Sequence, residues 1–286
     1  AAYPGAARDL ILAFPEISES LSARYSDASE LARSLYGANI QRFNPTTQLT
    51  GCAYVCQAHA ELTRSVLGVK PHAAIGLSSG ETNALLAFGV WRDLEAMLEQ
   101  IAQSGLYDNE LTGACRAARA HWNIPAHEPF VWRCWRIAAP VEQVYAALQG
   151  EARCALTIIH APEDCVIGGD ASACERVIAR IGRTRAFDLG LDMIVHCEAL
   201  GPFASEWARI HTREVFPAAG VRFYSNADNR AYIPTRESAS DAITKQALVT
   251  IDFPKTVRQA YEDGVRVFVE HGPRAILTAA VSKILG

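Results

Sequence analysis

The chain has 286 residues, half of them hydrophobic and a fifth charged, with a net charge of -4 and no acidic or basic block. That length buries a sizeable core in one large domain, alone or with a smaller one, and the even charge gives nucleic acid or a membrane surface nothing to hold. No apolar run reaches transmembrane length and no basic-then-apolar segment opens the chain, so a soluble cytoplasmic protein is expected.

Ala1-Ala2-Tyr3-Pro4-Gly5 carry neither a start methionine nor a strand, as in a domain excised from a larger protein. Helical periodicity covers Ala7 to Phe14 and then Glu16 to Tyr36; a polar link, Asn44-Pro45-Thr46-Thr47-Gln48, leads to a second helix over about Leu49 to Leu67. Val69 to Ile75 reads as a buried strand. It feeds Gly76-Leu77-Ser78-Ser79-Gly80-Glu81, a tight turn and helix start with the texture of a nucleophile elbow, in which Ser78 is lifted above a sheet. A Cβ at Gly76 or Gly80 is expected to obstruct that reversal. The Ser79 N–H, at the new helix's N-terminus, is placed to meet an oxyanion.

The helix runs to Phe88, Gly89 breaks it, and Asp93 to Gln103 is amphipathic. Ser104 to Glu128 reads as a helix within an irregular excursion. From Phe130 the texture changes. Val131 to Ile137 alternates like a half-buried strand, Val141 to Leu148 is helical, Ala155 to Ile159 and Asp164 to Gly169 are strands around a Pro turn, and Ser172 to Ile181 is a helix. This order suits a small ferredoxin-like unit inserted in a larger α/β domain. The boundaries fall at 1–129 and 191–286 for the two parts of the large subdomain and 130–190 for the small one.

Met193-Ile194-Val195 is the next apolar strand and leads to His196; a helix follows from Pro202 to Val215, then a strand, Val221 to Ser225, and a helix, Asp241 to Leu248. Val265 to Val269 is a buried strand before the turn Glu270-His271-Gly272-Pro273, and Ala275 to Leu285 is the last helix. Strands alternating with helices give an α/β class with a parallel sheet. The eight cysteines form no Cys-x-x-Cys pair and read as reduced core thiols; Cys52 and Cys56 share a helix face, but no histidine or cysteine cluster completes a zinc shell, so no metal is expected.

Several of these motifs, in order, resemble the malonyl-CoA:acyl-carrier-protein transacylase family, which includes the acyltransferase domains of fatty-acid and polyketide synthases. Gly76-Leu77-Ser78-Ser79-Gly80-Glu81 is similar to its Gly-His-Ser-x-Gly-Glu signature, Thr47-Gln48 to its Thr-Gln, Ala161-Pro162 through Gly168-Gly169-Asp170 to its small-subdomain strand, and Glu270-His271-Gly272-Pro273 to its Glu-x-Gly-Pro turn. The stretch from Ser79 to Trp91 most resembles iterative type I synthases of the enediyne and polyunsaturated-fatty-acid kind. The resemblance implies an α/β-hydrolase-like large subdomain with an inserted ferredoxin-like one. It makes Ser78 the nucleophile that takes an acyl group from CoA, His196 the general base, and Gln246 the residue whose main-chain carbonyl orients that histidine. The partners it implies are malonyl-CoA or another acyl-CoA, an acyl carrier protein and the other domains of a megasynthase. CoA enters as a substrate and phosphopantetheine as the acceptor arm, with no cofactor.

Three departures from the family pattern bear on substrate choice. Leu77 replaces the usual histidine before the nucleophile. The family's carboxylate-binding arginine falls on Gln103, which leaves Asn83, Thr82 and Gln103 as candidate donors to a malonyl carboxylate and admits an uncharged acyl group as the alternative. Arg116 and Arg119 are further cations in the excursion, read as a solvated face. The family's oxyanion loop corresponds to residues before Ala1. The pocket motif ending in the base, Met193-Ile194-Val195-His196, places Val195 beside the substrate and matches neither the malonyl nor the methylmalonyl pattern. Two other readings stand beside the transferase: an esterase using Ser78, Asp252 or Asp263, and His271, and a non-catalytic docking domain of a megasynthase.

Overall fold

The computed structural model describes residues 2–25, 32, 35–36 and 45–286. The second half of the helix expected over Glu16 to Tyr36, and Asn44, lie mostly outside the described residues. Helices α1 (Arg8–Ala13) and α2 (Pro15–Arg24) open the fold, with Pro15 at the first turn of α2, where its missing N–H is harmless. Helix α3 (Pro45–Glu61) starts earlier than expected, taking in the Pro45–Gln48 link, and passes into a π-helical turn at Leu62–Val66. Strand β1 (Ala73–Ile75) then enters the turn at Ser78, and α4 (Ser79–Ala87) leaves it.

Helix α5 (Leu94–Ser104) ends at Gly105, whose φ of 62° is the left-handed conformation common after a helix. The excursion that follows is a π-helical turn, Leu106–Glu110, and a short helix, α6 (Arg116–Trp122). The next six elements are β2 (Trp132–Ile137), α7 (Val141–Leu148), β3 (Cys154–Ala161), β4 (Asp164–Asp170), α8 (Ala171–Ile181) and β5 (Ala186–Asp188). Their strands are ordered β5-β2-β4-β3, with antiparallel β5–β2, β2–β4 and β4–β3 pairs. This unit has its own apolar cluster, in which Ile137, Val144, Ile167, Val177 and Ile178 are buried. Asp170 caps α8 by accepting from Ser172 N at 2.9 Å and Ala173 N at 3.3 Å.

The chain then returns through α9 (Ala204–His211), β6 (Arg222–Ser225), β7 (Arg230–Tyr232), α10 (Arg236–Leu248), β8 (Ile251–Asp252), α11 (Phe253–Glu262) and α12 (Ile276–Leu285). β1 and β6 run parallel and β7 is antiparallel to β6, so this sheet is mixed. The largest apolar cluster packs around it, with Leu85, Leu86, Trp91, Met97, Trp207 and Phe223 buried. β8 adds parallel to the free edge of β3. There Ala161, Ile251, Phe253, Val257, Ala280 and Ile284 form a third cluster, against which Ile75 and Leu77 pack.

Two expected strands do not form among the described residues. Met193–Val195 joins no ladder; the Ile194 amide donates instead to Leu111 O at 2.9 Å. Val265–Val269 also lies outside any ladder, with Val267 and Val269 exposed rather than buried. Apolar alternation makes a strand only where a partner edge is available. Conversely β5, β7, β8 and α11 were not expected. α11 begins with Pro254 in its first turn under an Asp252 cap to Lys255 N, and carries a core face of Phe253, Thr256, Val257 and Ala260.

The cysteines are all free thiols and, except for half-buried Cys52, lie in the interior. Among the described residues no helix is long and apolar enough to cross a membrane.

Candidate active site

The nucleophile turn is fixed by one glycine. A Cβ on Gly76 would lie 2.0 Å from the Gly80 carbonyl carbon and 2.1 Å from Glu81 N, closer than any side chain permits. Gly80 is different: nothing stands within 4 Å of its Cβ position and its φ is not positive, so the expectation that both glycines are obligatory is corrected to Gly76 alone. Ser78 itself has φ 57° and ψ -123°, a sparsely populated conformation that the surroundings must impose. The three carbonyls around it are pinned. Asn226 Nδ2 donates to Gly76 O at 2.6 Å, Gly80 N to Leu77 O at 2.9 Å, and both Glu81 N at 3.1 Å and Gln246 Nε2 at 3.3 Å to Ser78 O.

His196 meets Ser78 from 118 residues further along the chain. It precedes a 3₁₀ turn at Glu198–Phe203, has φ 61°, and is tied through its own N–H to Ala247 O at 2.7 Å. Its Nε2 is 2.7 Å from Ser78 Oγ and its Nδ1 is 2.6 Å from Gln246 O. A carbonyl oxygen only accepts, so Nδ1 carries the proton and donates, and Nε2 is left as the acceptor for the serine hydroxyl. Burial of the imidazole pushes its pKa down to about 4, only partly opposed by the Gln246 carbonyl, so the ring is a neutral base at ordinary pH.

Ser79 is the first residue of α4, and the first-turn amides of a helix have no acceptor within it, so its N–H makes no bond to the helix itself. A serine made nucleophilic by a neutral histidine beside a helix N-terminus is equipped for acyl transfer.

The expected substrate residues divide. Leu77 is half-buried against the third apolar cluster, Thr82 and Val195 are half-buried, and Asn83 is buried with its carbonyl accepting from Gln57 Nε2 at 3.1 Å. Gln103 is exposed and donates to Glu99 Oε1 one turn back at 2.9 Å, with no bond to the dyad. Arg116 pairs with Glu110, and Arg119 is consumed by the carbonyls of Ala114, Pro125 and Glu128.

The esterase triad is not assembled. His271 Nε2 is 2.9 Å from Thr63 Oγ1, Asp252 caps α11, and Asp263 accepts from Tyr224 Oη at 2.8 Å.

Two residues with no expected role stand under the turn. Glu81 is 2% exposed, and Asn226, 1% exposed at the end of β6, donates to it from N at 3.1 Å and from Nδ2 at 2.8 Å. The signal for Asn226 is its place at the carboxyl end of a strand parallel to β1, where α/β sheets gather their chemistry.

Known structures share this fold. A structure of a type II polyketide synthase acyl-carrier protein in complex with its malonyl-transacylase superposes with a TM-score of 0.77 over 99% of this chain and 89% of that one, at 22% identity. The chain has the acyltransferase fold. Its curated relatives carry related names: a polyunsaturated fatty acid synthase polypeptide of Thraustochytrium sp. is 28% identical over 244 residues, 79% of this chain, and the malonyl CoA-acyl carrier protein transacylase of Haemophilus influenzae is 26% identical over 226 residues, 76% of this chain. The acyltransferase-fold chain spans 12% of the first of these proteins and 67% of the second. No protein-family model matches it.

Proposed function

We propose that the chain is an acyltransferase domain of a polyketide or fatty-acid synthase that moves a malonyl unit from CoA to an acyl carrier protein by a ping-pong mechanism. The observation that carries this reading is the relay from Ser78 Oγ to His196 Nε2 and from His196 Nδ1 to the Gln246 carbonyl. In the first half-reaction Ser78 Oγ attacks the thioester carbonyl while its proton passes to His196, and the oxyanion is met by the Ser79 N–H. Collapse expels the CoA sulfur, which takes the proton from His196 and leaves an acyl-serine ester. In the second, His196 deprotonates the phosphopantetheine thiol, the sulfur attacks the ester, and Ser78 leaves with the proton. The chemistry is complete with CoA as substrate and needs no further cofactor.

We further assign residues 130–190 to a small subdomain within the large one, Leu77, Thr82, Asn83 and Val195 to the acyl pocket, and the cytoplasm and a multidomain synthase of the iterative type as the setting. A second reading, a loader of acetyl or longer uncharged groups, is favoured by one observation: Gln103, where an arginine would hold malonate, is exposed and occupied by Glu99. The test is to charge the protein with malonyl-CoA or acetyl-CoA, remove the CoA ester, add holo acyl carrier protein and weigh the carrier. Malonyl-carrier is expected; acetyl-carrier alone selects the loader, and an unmodified carrier contradicts both.

A further inference from the structure

We propose that Asn226 is the positioning residue of this site, bonding the Gly76 carbonyl and the Glu81 carboxylate and reaching the Gln246 side chain, so that the nucleophile turn and the carbonyl that aims His196 are held in one register. The proposal deepens the transferase reading and shares its dyad. Asn226 Nδ2 has two hydrogens. They go to Gly76 O at 2.6 Å and Glu81 Oε2 at 2.8 Å, with Gln246 Oε1 the longer, shared contact at 3.4 Å. Gln246 in turn donates from Nε2 to Ser78 O at 3.3 Å, and its main-chain carbonyl holds His196. One buried amide thus touches the residue two before the nucleophile, the helix that follows it, and the residue that fixes the base.

The orientation of the amide is decided by its surroundings. Gly76 O only accepts, so the flipped amide would set oxygen against oxygen there. Among the described residues Asn226 Oδ1 is buried without a partner, and Tyr232 lies beside Glu81. Both of its amide hydrogens are given to the turn and the helix that leaves it. Glu81 anchors the group, accepting from both the Asn226 side chain and its backbone N–H. Burial pushes the Glu81 carboxyl up to about 7 against those two bonds, so its grip is that of a carboxyl shared between charged and neutral forms.

The test reads the reactivity of Ser78 independently of any acyl donor, with a fluorophosphonate: Ser78 Oγ bonds to phosphorus, fluoride leaves, and His196 takes the proton. Wild type, Asn226→Ala, Gln246→Ala and the double variant are followed by intact mass for rate and final stoichiometry, beside a thermal melt. Asn226→Ala is expected to label about ten- to a hundredfold more slowly, to the same final one probe per chain, because a misplaced nucleophile loses rate and not identity. Gln246→Ala is expected to lose about tenfold with its main-chain carbonyl still in place. The double variant is expected to be no more than about twofold slower than the slower single one, as for groups acting as a unit.

Labelling of Asn226→Ala within about twofold of wild type, or a slowdown matched by an equal loss of final stoichiometry, would overturn the proposal. If Asn226→Ala does not fold, Gln246→Ala decides alone: an unchanged rate overturns it. A wild type that takes the fluorophosphonate but no acyl group from CoA removes the transferase reading while the variant series still decides this one; a wild type inert to both overturns the two together.

Discussion

His196 is held at both ring nitrogens, with Nε2 2.7 Å from Ser78 Oγ and Nδ1 2.6 Å from the Gln246 main-chain carbonyl. A carbonyl here does what a carboxylate does in a three-membered relay: it selects the tautomer without adding a charge. His196→Ala is therefore expected to slow formation of the acyl-serine by about 10⁴-fold or more, measured by single-turnover intact mass. His271→Ala is expected to stay within about threefold of wild type, because that ring is engaged by Thr63 and not by the dyad.

The two glycines of the turn give opposite expectations. Gly76→Ala drives a Cβ into the Gly80 and Glu81 backbone and is expected to be destabilised by several kcal/mol, about 4 or more, or not to accumulate as folded protein. Gly80→Ala meets open space in the first turn of α4 and is expected to be neutral or stabilising by about 0.5–1 kcal/mol. Chemical denaturation of the two variants checks both.

Substrate choice is expected to be independent of Gln103. Its amide is spent on Glu99 at the surface, so Gln103→Ala is expected to change the malonyl-to-acetyl preference by less than about twofold. Asn83, buried one helical turn beyond the nucleophile, is the position at which Asn83→Ala is expected to move that ratio. Competition between the two CoA esters, read by mass, checks the pair.

Burial holds His196, His211 and His271 each down to about 4, where the unfolded chain has a histidine near 6.5. Between those values the unfolded state binds more protons, so these histidines stabilise the fold above pH 6.5, and that contribution is lost as pH falls towards 4. Glu81, raised to about 7 by burial, has the opposite sign: it holds a proton that the unfolded chain has released above about 4.5, so its contribution falls as pH rises towards 7. The three histidine protons gained on unfolding, with His59 lowered by burial in the same direction, outweigh the one released by Glu81, so stability rises with pH between 4.5 and 6.5 by about 3 kcal/mol per pH unit or more. Urea melts across that range are expected to show stability falling with acid, more steeply in Glu81→Gln, which removes the opposing proton.

The sequence carries the local rules of this fold well and its partnerships poorly. Val141–Leu148 and the strands either side of Pro162 are set by periodicity and turn chemistry within a few residues, and they lie where the pattern places them. Val267 and Val269 have the same strand texture but no ladder partner among the described residues and stand exposed, a fact settled by distant backbone that no local pattern contains. Ser78 was legible because a glycine-bracketed turn is local. His196 was placed at the end of a strand that does not form, and it is held instead by Ala247 and Gln246, some fifty residues away. Asn226 was silent for the same reason, since its acceptors lie in two distant segments, the Gly76–Glu81 turn and α10.

The central claim, that Ser78 is the acyl carrier of a transferase, is met most directly by the intact mass of the protein after brief mixing with malonyl-CoA, with Ser78→Ala beside it. One malonyl group per chain, absent from Ser78→Ala and discharged by the thiol of a holo acyl carrier protein, is the expected result. A wild-type mass that stays unchanged with malonyl-CoA and with acetyl-CoA, or an adduct that persists in Ser78→Ala, would contradict it.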